Sequence, residues 1–493
     1  MATIDDKSTA TVGVLGAGLS GVAMGMALRR AGIDDFVIYE RQPDVGGTWF
    51  RNTYPGLHCD IPSHLYSYLS EPNPDWSMVY SGQAEIQAYI RGCAEKHDLI
   101  GRIRFGTGVD AARFSAERGT WNLEIAGGQT AEHRVLVSAT GGLTAPRMPK
   151  IDGLDRFDGP MWHSGAWRHD VDLTGLRVAV IGSAASAVQV VPEVAKHAEE
   201  VVVFSRTPNW VMPRNNRFYT DQERDGLRSH GAVRAMRRGQ YREAMLWNGA
   251  FNRRQASIET LRRTALAHMR GAIDDEALID ALTPDYDPGC RRILLSDEYY
   301  PALATDHVQL IAHGVESLTE DAVVATDGTE VPVDVVIFCT GYRLGGREDG
   351  TPAVRVYGRD GRSVSEVLAE KVQAYRGIAL PGFPNYFTVC GINGSVGYGS
   401  LFASAEVGAE AIASLAGRLV REDLATIEAR SDVTDRYNTE IQRELETMSW
   451  TGPCTNFYLD RKGRVVSFFP GTLGRMRREL RSIDDDELLM ERN

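Results

Sequence analysis

Two stretches of this sequence have the residue types and spacing to hold a phosphate. Gly16-Ala17-Gly18-Leu19-Ser20-Gly21 follows an apolar run at Val12–Leu15 and precedes an amphipathic stretch reaching Arg30. Between a strand and a helix, Gly16 permits the tight turn, Gly18 lets backbone approach a pyrophosphate, and Gly21 allows close helix–strand packing. The pyrophosphate then accepts hydrogen bonds from the helix N-terminus. Glu40 ends the next apolar run, Phe36–Glu40, where a carboxylate can accept hydrogen bonds from ribose hydroxyls. Much later Gly182-Ser183-Ala184-Ala185-Ser186-Ala187 follows Val178–Ile181, with Ala184 and Ala187 replacing the second and third glycines. A methyl group at 184 crowds the phosphate approach without closing it. The residue standing as far beyond Gly182 as Glu40 stands beyond Gly16 is Arg206. Arginine in place of a ribose-binding acid turns a 2′-hydroxyl site into a 2′-phosphate site, because guanidinium and phosphate pair as two forks. Thr207 adds a hydroxyl donor. The first site therefore reads as one for FAD and the second as one for NADPH, the plainer alternative for Arg206 being a surface arginine at a strand end.

The elements that must position these residues appear twice. Each half has a strand, a glycine turn, a helix and a second strand (Phe36–Glu40, then Val201–Phe204). Each continues into an antiparallel-looking β segment, Ile103–Ile125 and Val308–Val331, and closes on a buried strand ending in Thr-Gly, at Val135–Gly141 and Val335–Gly341. The pattern predicts an α/β fold: two Rossmann-like dinucleotide-binding domains, for FAD and NADPH, with a helical insertion in the second. Thr340 and Gly341, with Gly182, Ser183, Ala185 and Ser186, are then expected at the second nucleotide. The Arg- and Glu-rich stretch from Thr220 to about Thr283 is the insertion, and a helix is expected near Leu401–Leu419. The expected division is 1–145 and 343–493 for the FAD domain, 146–219 and 286–342 for the NADPH domain, and 220–285 for the insertion. The last part is expected to fold back onto the first domain.

Composition narrows the class. At 493 residues the chain exceeds one compact core. A net charge of −12 provides no electrostatic footprint for nucleic acid or an anionic membrane. The six cysteines are scattered, without a Cys-x-x-Cys pair, which argues against a zinc site, a disulfide scaffold and a redox-active dithiol. Met1–Thr11 is polar, and no apolar run approaches the length of a membrane span. A cytoplasmic protein without membrane or nucleic-acid partners is the expectation.

Longer patterns carry a resemblance. Phe157-Asp-Gly159-Pro-Met-Trp-His163-Ser-Gly-Ala-Trp167 matches Phe-x-Gly-x-x-x-His-x-x-x-Trp, and in this the chain resembles the type I Baeyer–Villiger monooxygenases, class B flavoprotein monooxygenases. Related flavin-containing monooxygenases carry Tyr or Phe where Trp167 stands. Arg168 departs from the Pro or Asp that often follows. A second fingerprint is intact from Gly46-Gly47-Thr48-Trp49 through Tyr54-Pro55-Gly56 to Asp60. Gly289-Cys-Arg291-Arg292 through Tyr299-Tyr300 looks like the segment that holds that family's catalytic arginine, placed here on Arg292. Phe204-Ser-Arg206-Thr207-Pro-Asn-Trp210 looks like its 2′-phosphate strand. The similarity runs from Val12 to about Gly471.

The resemblance implies oxygen insertion beside the carbonyl of a hydrophobic ketone, yielding an ester or lactone with NADPH and molecular oxygen through a deprotonated flavin peroxide. Arg292 would keep that species anionic, Asp60 would orient Arg292 and adjoin the FAD, and Arg291 would help bind the 2′-phosphate. Oxidised NADP would remain bound and exclude water. Gly47, Thr48 and Trp49 would line the FAD site. Plainer readings stand beside these: Asp60 as a loop or helix cap, Arg292 joined to Arg291 as a surface pair, Trp49 and Trp167 as core aromatics. His163, with Phe157, Gly159 and Trp167, reads as part of a hinge rather than as a proton-transfer catalyst. The competing activity is oxygenation of sulfur or nitrogen. A flavoprotein disulfide reductase needs the absent cysteine pair, and a silent nucleotide-binding protein would not use NADPH in response to substrate.

Overall fold

In the computed structural model, which describes residues 10–344 and 353–492, the apolar runs form the centres of two parallel sheets. Of the polar Met1–Thr11 start, residues 1–9 lie outside the described residues. Every residue of Val12–Leu15 is buried, and this strand pairs in parallel with Phe36–Tyr39 on one side and Val135–Ser138 on the other. Strands covered on both faces read as continuous apolar runs, which is why these were legible. Ile103–Arg104 and Tyr386–Thr388 complete a five-stranded sheet at its two edges. The second sheet repeats the plan: Arg177–Ile181 lies between Glu200–Phe204 and Val335–Phe338, with Val308–Ile311 and Met161–His163 at the edges. In each, strand order reverses beside the first strand of the unit, and the crevice at the strands' carboxyl ends is where such sheets take a ligand.

Two expectations need correction. The segments Ile103–Ile125 and Val308–Val331 are not antiparallel throughout, because each opens with a parallel edge strand of a main sheet. Only the later strands are antiparallel: Val109–Ser115, Thr120–Ile125 and Gln129–His133 in the first, Val315–Leu318, Ala322–Ala325 and Glu330–Pro332 in the second. Short strands carry no periodicity that reveals direction. The scattered cysteines spoke against a disulfide scaffold and did not reveal the bridge that is present, Cys290–Cys454, across 164 residues of sequence. Spacing along the chain reports only on near neighbours, and this pair is made by tertiary contact. Cys59, Cys93, Cys339 and Cys390 are free.

The stretch 220–283 holds four helices, Asp221–Leu227, Ala232–Phe251, Gln255–Arg270 and Glu276–Leu282. Thr220 and Glu223 close a capping box at the start of the first. Ile258, Leu261 and Ala265 repeat at helical spacing and pack with Trp210, Cys290 and Ile293, so this layer supports the segment carrying Arg292. Helix Leu401–Arg421 lies along Leu19–Arg30 and buries Phe402 among the rings of Tyr66, Tyr68 and Tyr89. From that helix the buried Glu406 accepts from the backbone N–H groups of Leu69 and Ser70. From the other side Arg237 donates to the carbonyls of Tyr68 and Ser67 at 2.8 and 3.1 Å. The loop beyond Asp60 is thereby held between two packed helices.

Candidate active site between two nucleotide cradles

The first glycine turn has the shape its sequence implies. Gly16 adopts φ +98°, and a Cβ there would lie 2.7 Å from the Ala139 carbonyl oxygen. A Cβ on Gly21 would lie 1.8 Å from the Gly16 carbonyl oxygen, so helix and turn fit only without one. Gly18 begins the helix with no side-chain cap, leaving its first N–H groups for an anion. Gly18 and Gly47 meet backbone to backbone. Glu40 is buried and accepts from the Ala17 and Gln42 N–H groups at 2.7 and 2.8 Å; its remaining lone pairs can still accept from a ribose. Thr48 and Trp49 open the short helix Thr48–Arg51, and Trp49 is buried with Nε1 donating to the Tyr66 hydroxyl at 3.1 Å. A bare, uncapped cradle beside a buried acid fits FAD.

The second cradle differs as its sequence does. Gly182 has φ +120°, with a Cβ excluded by the Cys339 carbonyl oxygen at 2.5 Å. Ala184 starts helix Ala185–Val194 without a side-chain cap, and Ala187 is fully buried, its methyl filling space a third glycine would leave. Ser183 Oγ donates to the Thr207 carbonyl at 3.0 Å, which draws the turn against the end of the Glu200–Phe204 strand. There Arg206 is exposed and, among the described residues, makes no ion pair. Arg291 lies over the Tyr286 ring at 5.3 Å, and the Tyr286 hydroxyl donates to the Pro208 carbonyl at 2.8 Å. Tyr286 thus links Arg291 to Pro208, the residue after Thr207, an arrangement compatible with a 2′-phosphate held by both arginines. Thr340 and Gly341 follow Cys339, whose carbonyl abuts the Gly182 turn, and Thr340 Oγ1 donates to the Arg147 carbonyl at 2.6 Å. Gly341 accepts from Arg147 N–H at 2.9 Å.

Arg292 and Asp60 meet between the cradles. Nε and Nη2 of Arg292 donate to the two Asp60 oxygens at 2.8 and 2.7 Å, a fork that leaves Nη1 outside the pair. Asp60 thus pairs with Arg292 across 232 residues of sequence. The Asp60 carboxylate pushes the Arg292 guanidinium still further above its ordinary pKa, so the charge is permanent. Its side chain remains 49% exposed, open on one side rather than sealed in the core. Tyr66 and Tyr458 lie within the electrostatic reach of the pair, and burial raises both phenols well above their usual range. Neither tyrosine is marked by its sequence context, since each reaches the pair only through the fold. The same holds for Tyr54 and Gln189. Tyr54 donates to Gln189 at 3.3 Å, while Gln189 Nε2 donates to the His58 carbonyl at 2.9 Å. These contacts lay the second fingerprint directly on the helix of the other cradle.

The Phe157–Trp167 fingerprint lies apart from Arg292. Phe157 is buried in the second domain's core, and a Cβ on Gly159 would lie 2.3 Å from the Asp334 carbonyl oxygen. His163 ends the edge strand Met161–His163, and Trp167 stands edge-on to Trp162 at 5.6 Å. Arg168 pairs with Asp170 at the surface. His163 Nδ1 accepts from the Gly165 N–H at 3.0 Å, which places the proton of the neutral ring on Nε2. Burial lowers its pKa to about 4, and does the same to the fully buried His64.

Both groups prefer the neutral form in the folded chain, whereas the unfolded chain takes up protons near the ordinary value of 6.5. Their contribution to stability is full above that value and is lost as pH falls from about 6.5 to about 4. Urea-unfolding midpoints should fall through this window, and His163→Gln should flatten the dependence. An equally steep dependence in that variant would assign the effect to other groups.

Paired doubly wound sheets, each with its own nucleotide cradle, and an arginine–carboxylate fork between them define a two-nucleotide flavoprotein oxygenase. The family described as flavin-binding monooxygenase-like matches residues 9–222. A Baeyer–Villiger monooxygenase of Streptomyces coelicolor is 40% identical across 96% of this chain and 91% of its own length. One from Pseudomonas aeruginosa is 36% identical across 96% and 90%. Among solved structures, an oxidised steroid monooxygenase bound to NADP is similar at TM-score 0.86 and 27% identity, covering 98% of this chain and 100% of that one. A closed cyclohexanone monooxygenase shares the fold at TM-score 0.86 and 24% identity, covering 98% and 99%. The chain belongs to the Baeyer–Villiger monooxygenase family, the NADPH-dependent FAD monooxygenases that its sequence resembled. No helix among the described residues is long and apolar enough to cross a membrane.

Proposed function

We propose that this enzyme converts a hydrophobic ketone to an ester or lactone, with ketone, NADPH, a proton and dioxygen giving ester, NADP and water. The observation that carries this reading is the Arg292–Asp60 fork, a permanent cation held between two nucleotide cradles. When bound, FAD takes hydride from NADPH and activates dioxygen. Arg292 supplies positive charge where negative charge develops as oxygen adds to the carbonyl, and it cannot lose its proton in doing so. Asp60 fixes the plane of that guanidinium. Gly16, Gly18, Gly21, Glu40, Gly47, Thr48 and Trp49 hold FAD; Gly182, Ser183, Ala185, Ser186, Arg206, Thr207 and Arg291 hold NADPH. Thr340 and Gly341, beside the Gly182 turn, complete the NADPH set, and His163 belongs to the hinge with Phe157, Gly159 and Trp167. In this reading residues 1–145 and 343–493 form the FAD unit, 146–219 and 286–342 the NADPH unit, and 220–285 the inserted helices. Aromatic side chains near the fork, among them Tyr66, Tyr458 and Trp49, suit an apolar ketone better than a charged one.

The test is incubation with NADPH, dioxygen, a panel of cyclic, linear and aryl ketones, and one thioether, with products identified by mass spectrometry. Products one oxygen heavier than a ketone are expected. Sulfoxide as the sole product, with every ketone returned unchanged, would move the assignment to heteroatom oxygenation.

A further inference from the structure

The segment Ser449–Tyr458 reaches the residues just ahead of Arg292 from the far end of the chain. Cys454 is bridged to Cys290, their Cα atoms 6.1 Å apart. Asn456 Nδ2 donates to the Cys290 carbonyl at 3.1 Å, and Ser449 Oγ to the Gly289 carbonyl at 3.1 Å. Gly452 passes so closely that a Cβ on it would lie 2.9 Å from Cys290 Sγ. Tyr458, buried at the segment's end, has Arg292 as a charged neighbour. The side chain of Arg292 is thus oriented by Asp60 while the backbone leading into it is tied to this segment.

The pair is also chemically set apart. Cys454 is partly exposed between the exposed Pro453 and Thr455, within reach of small thiols and peroxides. Burial pushes the free thiols of Cys93, Cys339 and Cys390 up to about 12 and that of Cys59 well above its ordinary value, which keeps all four protonated and unreactive.

We infer that the Cys290–Cys454 bridge, with Asn456, positions Arg292, and that opening the bridge uncouples NADPH consumption from oxygen insertion. This rests on the role proposed for Arg292 in the reaction. The oxidant is hydrogen peroxide, which NADPH, a proton and dioxygen yield when no ketone is oxygenated. The two thiols give up two electrons and two protons, the O–O bond breaks to leave two waters, and the S–S bond forms. A dithiol reverses this, becoming a disulfide as both cysteine thiols return. Futile turnover would then restore the link that suppresses it.

The holoenzyme would be compared in its bridged form and after dithiothreitol, with open thiols counted by alkylation and mass spectrometry. Reduction should lower ester formed per NADPH on the order of tenfold and raise hydrogen peroxide release. It should also speed hydrogen exchange at Gly289–Arg292, while the anaerobic rate of flavin reduction at saturating NADPH is unchanged, any loosening of Arg291 appearing only in the affinity for NADPH. Peroxide treatment should restore coupling. Cys454→Ser should resemble the reduced protein in both media, and Asn456→Ala should lose coupling in the same direction though the bridge stays closed. Unchanged coupling with the pair demonstrably open, or six free thiols after peroxide, overturns the inference. So does a parallel fall in flavin reduction, which would indicate general loosening. Arg292→Ala separates the two levels: if it still forms ester, the role of Arg292 fails; if it forms none while the reduced wild type is fully coupled, only the brace fails.

Discussion

Arg292→Ala is expected to retain FAD and to be reduced by NADPH at close to the normal rate, yet to form ester at least on the order of a hundredfold more slowly. That magnitude is typical of removing one preorganised charge from a site of developing negative charge. In the proposed assignment neither nucleotide's phosphate is held by Arg292, so the two half-reactions should separate. Arg292→Lys keeps a charge but cannot make the two-point contact with Asp60 at 2.8 and 2.7 Å, so it should recover only a small part of the rate. Asp60→Asn should fall between wild type and Arg292→Ala. Rapid NADPH oxidation with normal ester yield in Arg292→Ala would remove this residue from the reaction. Product analysis beside stopped-flow measurement of flavin reduction distinguishes these outcomes.

The second large effect concerns the choice between the two nicotinamide cofactors. Arg206 is exposed just beyond the Glu200–Phe204 strand, and Tyr286 links Arg291 to Pro208 two residues on. Hydrogen bonds to charged groups contribute about 1.5–3 kcal/mol each. Arg206→Ala should therefore raise the KM for NADPH by about 10- to 100-fold, with little change for NADH, which has no 2′-phosphate to lose. Arg291→Ala should act in the same direction and more weakly, since its guanidinium is shared with the Tyr286 ring. An unchanged ratio of the two KM values in Arg206→Ala would place the 2′-phosphate elsewhere.

Both cradles were legible in the sequence for a local reason. An apolar strand, a glycine turn and a helix are contiguous, and the residue after the second strand declares acid or base. Asp60 and Arg292 were legible only through their fingerprints; nothing in spacing alone predicts that residues on two remote segments form a fork. Tyr66, Tyr458 and Asn456 carried no sequence signal at all, because what matters in each is a contact made by tertiary packing. The Cys290–Cys454 bridge escapes the sequence for the same reason. Ile103–Arg104 and Val308–Ile311 read as β structure but with the wrong direction, since so few residues cannot reveal which neighbour they will join.

The first sheet is finished by Tyr386–Thr388 pairing with Leu136–Ser138, after the entire second sheet has been synthesised. Until then the Val135–Ser138 strand presents an open edge to whatever is nearby. A nascent or truncated chain ending before Thr388 therefore carries an unfinished, adhesive sheet. This makes the first sheet a late product of translation, one that waits until about four fifths of the chain has been delivered.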